Sequence, residues 1–139
     1  MREILFRGKL TANGEWSYGC LKILPDKTCA ISPDDTVVGK YGRVDPATVG
    51  QYTGLTDIMG AKIFEGDIVR FRHGGEFVGV HHRNYAVEFS NTYVTYGLRL
   101  RNKSIFFPFK QSTAHMHDAV VIGNIHDNPE LLKEEAEDG

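Results

Sequence analysis

The sequence contains few cysteines and no long apolar run, and these absences exclude several classes of protein. Its two cysteines, Cys20 and Cys29, are too few for a disulfide scaffold and do not form a CxxC motif, so free thiols are expected. No apolar run approaches the roughly 18 residues of a membrane span. The segment Met1–Arg7 lacks the apolar core of a secretion signal. We therefore expect a soluble cytoplasmic protein that does not bind a membrane.

Common catalytic motifs are also missing. No serine lies in a G-x-S-x-G elbow, and the glycines form neither a G-x-G-x-x-G loop nor a phosphate-binding P-loop. Glu65 and Asp67 flank Gly66, but a turn tip does not supply the burial or the neighbours that tune two carboxylates for acid–base catalysis. We expect these residues to form a structural turn, and we expect no catalytic residue and no cofactor.

The sequence does contain short segments whose patterns are typical of β-strands. Fifteen glycines in 139 residues favour a turn-rich chain. Apolar alternation recurs in short segments, and Asn13-Gly14 between two of them predicts a hairpin. Trp16 and Tyr18 have the same parity in the second strand of this hairpin, so we expect both on one buried face.

The later part of the chain contains further strand patterns. Glu76–His82 and Tyr85–Phe89 predict two separate strands. Ala119–Ile125 is a nearly continuous apolar run, which predicts a central strand that is buried on both faces. Asp127 is then expected to cap a short helix over Glu130–Glu135.

These elements predict a mostly β protein, a small barrel or sandwich of short antiparallel strands with a short C-terminal helix. An SH3-like barrel is one form that the central part could take. We assign residues 1–129 to a single β domain, with a hairpin region at 1–45 and a corner and barrel at 46–126. Residues 130–139 form an acidic tail that contains five acids and one base.

Three blocks of residues, in order along the chain, carry a family resemblance. They are Phe6-Arg7-Gly8 with Asn13-Gly14-Glu15-Trp16 and Tyr18-Gly19, then Val44–Leu55 continued through Phe64–Val69, and finally Val121–Leu132. These blocks resemble the YopX family of bacteriophage and prophage proteins. The resemblance implies a mostly β fold and a phage or prophage gene. It implies no activity, because the family has no established biochemical function.

The chain differs from the family pattern in two places. Ile58-Met59 stands where the family's turn usually carries polar residues. This pair is either an exposed apolar tip used for association or a turn that folds inward. The segment Phe71–His117 has no clear family pattern, so a function specific to this member could lie there.

Six histidines raise the hypothesis of a metal site. His115 and His117 are two residues apart, so on a strand both would project from one face, and Asp118 follows them. A mononuclear zinc site needs three or four converging ligands, so these residues would need a further ligand from elsewhere in the chain. The simpler interpretation is a pair of surface histidines near a strand end.

Residues 70–110 are rich in basic and aromatic side chains. Phosphate neutralisation by such bases and stacking on such aromatics hold single-stranded nucleic acids on small β folds. The alternative interpretation is that the bases are solvated faces of amphipathic strands, and the net charge of −2 is low for a nucleic-acid binder. The candidate residues, which share parity within their own strands, are Arg70 and Arg72, then Arg99, Arg101 and Lys103.

The leading hypothesis is a non-enzymatic binding or assembly module, acting in the cytoplasm of a bacterial host on an unknown phage or host protein. A homo-oligomer is also expected, because edge strands must be paired or protected. The first alternative is single-stranded nucleic-acid binding through residues 70–110. The second is a metal-dependent enzyme that uses His115, His117 and Asp118.

Overall fold

Most of the residues that the structure describes lie in β-strands. The computed structural model describes residues 3–33, 41–75, 79–92, 94–100, 105–108 and 119–133, with the backbone alone for residues 72–75, 79–82, 100, 105 and 107. Within these ranges the chain forms eleven strands and two short 3-10 turns, and it contains no helix of seven residues or more. No helix there is long and apolar enough to cross a membrane. The prediction of a mostly β protein is confirmed, whereas the predicted barrel is not.

Six strands form the first antiparallel sheet. Their bounds are Phe6–Lys9 (β1), Trp16–Ile23 (β2), Cys29–Ser32 (β3), Gly42–Val44 (β4), Gly50–Thr56 (β5) and Lys62–Phe64 (β6). The strand order is β4-β3-β2-β1-β5-β6. The hairpin predicted at Asn13-Gly14 joins β1 to β2 and places Lys9 opposite Trp16. Gly14 has a φ of +75°, a conformation that glycine adopts without a steric penalty.

Five strands form the second antiparallel sheet. Their bounds are Asp67–Gly75 (β7), Gly79–Ser90 (β8), Thr95–Leu100 (β9), Ile105–Pro108 (β10) and Ala119–Asn124 (β11), in the order β10-β9-β8-β7-β11. β8 is one continuous strand where the sequence predicted two. The prediction was wrong because Arg83 and Asn84, the two residues between the predicted strands, both pair with β7.

Two compact units divide the chain, Met1–Tyr52 and Thr53–Gly139. Strands β1–β4 belong to the first unit, and β6–β11 belong to the second. β5 begins in the first unit and ends in the second, so the boundary falls within a strand. In the first unit, Ala30, Ile31 and Val44 are buried.

The second unit has apolar clusters on both faces of its sheet. The larger cluster contains Ile63, Val69, Tyr85, Val87, Leu98 and Ala119. The smaller cluster contains Ile68, Ala86 and Leu132. Successive strand residues point to opposite faces, so neighbours such as Ile68 and Val69 serve different clusters. The sheet is therefore covered on both sides where β7 and β8 meet.

β11 lies at the edge of the sheet, so the prediction of a central strand buried on both faces was wrong. Among the described residues it pairs with β7 alone. Ile122 is the extra residue of a bulge between Val121 and Gly123, and it is exposed. An apolar run does not distinguish a central strand from an edge strand that packs against a core from one side.

The predicted C-terminal helix is only a 3-10 turn, Pro129–Leu132. The residue before it is Asn128, whose side chain makes no hydrogen bond to the turn. Its Oδ1 instead accepts a hydrogen bond from the Asn124 backbone N–H at 3.2 Å. Asp127 was expected to cap the helix, but its carboxylate accepts the Asn124 side-chain amide at 3.1 Å. Both candidate caps are thus bonded to the end of β11.

Candidate functional site

Two of the predicted basic residues lie on the same face of the second sheet. Arg70 on β7 is opposite Asn84, and Arg99 on β9 is opposite Ala86. Directly opposite residues share a face, as do alternate residues along β8. Arg72 occupies a position of the same parity as Arg70. Strand spacing and rise put the Cα atoms of Arg70 and Arg99 roughly 12 Å apart.

The charge of Arg99 is already paired. Its Nε donates a hydrogen bond to Glu88 Oε2 at 3.0 Å, and its guanidinium carbon lies 5.0 Å from the centroid of the Phe106 ring. Both members of the ion pair are partly exposed, so solvent screens the attraction. A phosphate bound here would have to compete with the Glu88 carboxylate.

The C-terminal turn occupies the sheet surface between these two arginines. Leu132 is buried against Ile68 and Ala86, and the Asn84 Nδ2 donates to the Leu131 carbonyl at 2.8 Å. Both Asn84 and Ala86 belong to β8, which lies between the strands that carry the arginines. Arg70 and Arg99, the two bases of this face whose side chains the structure describes, are therefore not joined into one continuous cationic stripe.

The other predicted site residues lie outside the described part of the chain. They are Arg101 and Lys103 of the basic segment, and His115, His117 and Asp118 of the metal hypothesis. Within the described ranges there is no group of three or more His, Cys, Asp or Glu side chains that could hold a metal ion. Nucleic-acid binding through residues 70–110 and metal binding both stay predictions.

The turn Glu65-Gly66-Asp67 has the structural role that the sequence indicates. Asp67 is buried, and its Oδ2 accepts the Phe64 backbone N–H at 2.7 Å. The Gly66 N–H donates to the Val87 carbonyl at 2.9 Å. The Asp67 carboxylate thus fixes the corner between β6 and β7.

A second buried carboxylate, that of Asp57, organises the turn that follows β5. Its Oδ1 accepts the N–H groups of Met59 and Ala61, and its Oδ2 accepts the N–H of Val121, each at 2.9 Å. The Asp57 N–H itself donates to the Ala61 carbonyl at 2.8 Å. One side chain therefore closes the turn and joins it to the outer side of β11.

This turn presents two large apolar side chains to solvent. Ile58 is 56% exposed and Met59 is 78% exposed. The Ile58 N–H donates to the Ala119 carbonyl at 3.1 Å, and Gly60 completes the turn with a φ of +85°. We call Ile58 and Met59 the apolar tip. Of the two sequence-based alternatives for this pair, the turn folded inward is wrong and the exposed position is correct, whereas the use of the tip for association stays a prediction.

The first sheet contains a cluster of cations and aromatic rings that the sequence analysis did not single out. Arg7 is opposite Tyr18, and Lys9 is opposite Trp16. The Arg7 guanidinium carbon lies 4.6 Å from the centroid of the Trp16 ring, and Lys9 Nζ lies 5.5 Å from it. Tyr18 is 46% exposed, so the prediction that it is buried was wrong. Strand parity on both sides of Asn13-Gly14 would have revealed the cluster.

Asp26 has a lowered pKa at the turn between β2 and β3. Hydrogen bonds from the Thr28 hydroxyl, at 2.6 Å, and from the Thr28 backbone N–H, at 3.1 Å, hold the pKa of this carboxyl at about 2. The Arg43 guanidinium adds a smaller effect through an ion pair of 3.1 Å. Asp26 therefore neutralises Arg43 throughout the physiological pH range.

Comparisons with known proteins agree with this architecture. A family model described as YopX protein matches residues 9–133. The crystal structure of protein EF1440 from Enterococcus faecalis is similar, with a TM-score of 0.59 and 24% sequence identity, over 95% of this chain and 99% of that chain. At this identity the likeness shows the fold alone. No match was found among the curated proteins.

Proposed function

The chain belongs to the YopX family, and from this premise we propose that it is a non-enzymatic protein-binding module. It is encoded by a phage or prophage and acts in the cytoplasm of the bacterial host. Family membership assigns no activity, so the proposal rests on the apolar tip. The observation that carries it is a pair of large exposed apolar side chains on a turn that a buried carboxylate holds in one shape.

Rigidity is what distinguishes this tip from ordinary exposed apolar residues. Single exposed apolar side chains are common on protein surfaces and need no partner. Here Asp57 accepts the N–H groups of Met59 and Ala61 within the turn, and the N–H that it accepts from Val121 attaches the turn to β11. A preordered turn loses little conformational entropy on binding, so more of the contact energy remains as affinity.

The energy available from the tip is enough to anchor a complex. Complete burial of one Ile or Met side chain stabilises by about 1.5–3 kcal/mol. The exposed parts of Ile58 and Met59 together amount to little more than one whole side chain. Burial of both would therefore contribute about 2–4 kcal/mol, which is roughly a 30- to 800-fold change in Kd.

The shape of the tip indicates the kind of partner. A convex tip fits an apolar pocket on another protein, as the central anchor of a larger contact. Stable protein–protein interfaces bury about 1,200–2,000 Å², far more than two side chains supply. The tip would therefore be the energetic centre of the interface, with a polar rim around it. A second copy of the chain is one such partner, in line with the predicted homo-oligomer.

The test uses the full chain with a photoreactive residue in place of Met59, expressed in cells that carry the phage or prophage. A partner crosslinked at this position would be identified, purified and titrated with the unmodified protein. The double variant Ile58→Ser, Met59→Ser is expected to bind roughly 30- to 800-fold more weakly. Val94→Ser is the matched control, because Val94 is a comparable exposed apolar residue, 75% exposed, in the turn between β8 and β9.

Sedimentation velocity over a concentration series would show whether the partner is a second copy. Association that the double variant removes and Val94→Ser retains supports the proposal in its homo-oligomeric form. A monomer at all concentrations combined with no crosslinked partner would refute it. Equal binding by the double variant and the wild-type protein would also refute it, because the tip would then carry no affinity.

A further inference from the structure

The four strands of the first unit, β1–β4, carry four basic residues and no acidic residue. Arg7 and Lys9 pair with Tyr18 and Trp16, so all four side chains lie on one face. Lys22 has the same parity as Trp16 and Tyr18 along β2, so it shares this face.

Arg43 is the fourth base, and the pairing of β2 and β4 with β3 shows which face it occupies. Lys22 is opposite Ala30, and Ala30 is opposite Arg43. Arg43 therefore lies on the same face as Lys22, but its charge is neutralised by Asp26 at 3.1 Å. Lys9 and Lys22 are half-buried, and Arg7 is buried. The two lysines are thus partly exposed on this face, while Arg7 adds positive potential beneath them.

The Trp16 ring positions the cations of β1. Arg7 and Lys9 both lie within cation–π distance of it, at 4.6 and 5.5 Å from the ring centroid. Arg7 and Lys9 are two residues apart, which is about 7 Å along a strand. Tyr18 stands beside them with nearly half of its surface exposed. Basic and aromatic side chains therefore alternate on this face, on two strands that are paired in the sheet.

We propose that this face of the first sheet binds single-stranded nucleic acid. Lys9 and Lys22 would neutralise phosphates, and Tyr18 would stack against a base. Sheets that combine basic and aromatic side chains bind single strands in this way, because every base offers a π-face and every nucleotide a negative charge. We call the residues Lys9, Trp16, Tyr18 and Lys22 the aromatic–basic face.

Two other polyanions fit less well. In duplex DNA the bases are stacked on each other, so an aromatic ring on a sheet has no free base to contact. An acidic peptide would satisfy the lysines but would make no use of the exposed Tyr18 ring. The second sheet is also a poorer surface, because the C-terminal turn covers the region between Arg99 and Arg70.

The single tryptophan of the chain is Trp16, so its fluorescence reports binding at this face directly. We would titrate the full chain with an unlabelled oligo-dT strand at low salt, then repeat the titration at rising salt. Two phosphate contacts predict a slope of log K against log[salt] of about −1.4, because each contact on a single strand contributes about −0.7. Lys9→Gln should reduce the magnitude of this slope by about 0.7.

Matched variants separate this face from the others. Tyr18→Ala is expected to weaken binding roughly 5- to 150-fold, the usual effect of losing one stacked base. Arg70→Gln and Arg99→Gln remove a charge from the second sheet and should leave binding within about twofold, since neither would contact a phosphate. The double variant Ile58→Ser, Met59→Ser should also bind normally, so failure of the protein-binding proposal is distinguishable from failure of this one.

Three results would overturn the inference. The first is no change in Trp16 fluorescence with oligo-dT at low salt. The second is loss of binding in Arg70→Gln or Arg99→Gln but not in Lys9→Gln, which would move the site to the second sheet. The third is equal binding of polyglutamate together with no effect of Tyr18→Ala, which would indicate an acidic peptide ligand.

Discussion

Replacing Asp57 by asparagine tests whether one carboxylate holds the apolar tip in place. The two side chains have nearly the same shape, so the change is chemical rather than steric. Asparagine can keep its Oδ1 toward the N–H groups of Met59 and Ala61. Its amide Nδ2 then replaces the oxygen that accepts the Val121 N–H at 2.9 Å, so two donors face each other.

The size of the effect follows from the bond that is lost. A hydrogen bond to a charged acceptor contributes about 1.5–3 kcal/mol, and a buried donor left without a partner costs about 1–3 kcal/mol. These two energies cannot simply be added, because the contribution of the hydrogen bond already includes avoiding the cost of an unpaired buried donor. We expect Asp57→Asn to lower the free energy of unfolding by about 2–4 kcal/mol.

Urea denaturation measures the total loss, and amide hydrogen exchange locates it. We expect the Val121 amide to lose protection more than the amides of Met59 and Ala61, which keep an acceptor. Asp45→Asn is the matched control. Asp45 is exposed, and its Oδ1 accepts one N–H, from Ala47 at 3.0 Å. Asparagine caps nearly as well as aspartate there, so the control should change stability by less than about 0.5 kcal/mol.

Two observations would show that this reasoning is wrong. One is a free energy of unfolding for Asp57→Asn within about 0.5 kcal/mol of the control. The other is a Val121 amide that stays as protected as in the wild-type protein. Either would mean that the tip is held by its backbone hydrogen bonds without help from the carboxylate.

Two further predictions concern a pH dependence and a packing contact. The folded-state pKa of Asp26, about 2, lies below the ordinary value of 3.8, so its stabilising contacts are complete above pH 3.8 and are lost as the pH falls through 2. An NMR titration of the Thr28 amide should therefore have its midpoint near 2, and a midpoint near 3.8 would contradict the hydrogen bonds. Leu132→Ala should lower the free energy of unfolding by about 2–4 kcal/mol in urea, because it empties a buried site against Ile68. The exposed Glu130→Ala should change it little, and equal effects of the two would disprove docking of the turn.

Local features of the fold could be predicted from the sequence because they depend on neighbouring residues. Asn13-Gly14 predicted the first hairpin, since its conformation and the alternation on both sides are local properties. The turn at Gly66 was predicted for the same reason. The family resemblance added the order of the blocks and the mostly β character, which the structure confirms.

Long-range pairings could not be predicted in this way. The apolar run of β11 gives no sign that its outer side is bonded to a turn more than sixty residues earlier, through Asp57. Strand β8 continues through Arg83 and Asn84, between the two predicted strands, because both residues pair with β7. The hydropathy of a segment depends on that segment alone, whereas the order of strands in a sheet depends on which segments pair with each other.

In the candidate sites, too, local features could be predicted from the sequence and long-range contacts could not. Strand parity groups Arg70 with Arg72, but it cannot reveal that Glu88 on the adjacent strand pairs with Arg99. Nor can it show that the C-terminal turn packs on the face of that sheet, over β8. The aromatic–basic face was within reach of the sequence, because it lies on one hairpin. The sequence prediction did not include it because residues 70–110 contain more bases than this hairpin.

The bond between Asp57 and Val121 also has a consequence for the order of folding. Strands β7 to β10 pair with their sequence neighbours, so each closes a short loop, whereas β11 must return to β7 across a long segment of chain. Long loops close late because their ordering entropy comes before any compensating contact. Pulse labelling during refolding should thus protect the Gly66 amide, which donates to the Val87 carbonyl, before that of Val121. The apolar tip would acquire its final shape only when the sheet is complete, so partly folded chains would not yet display the binding surface.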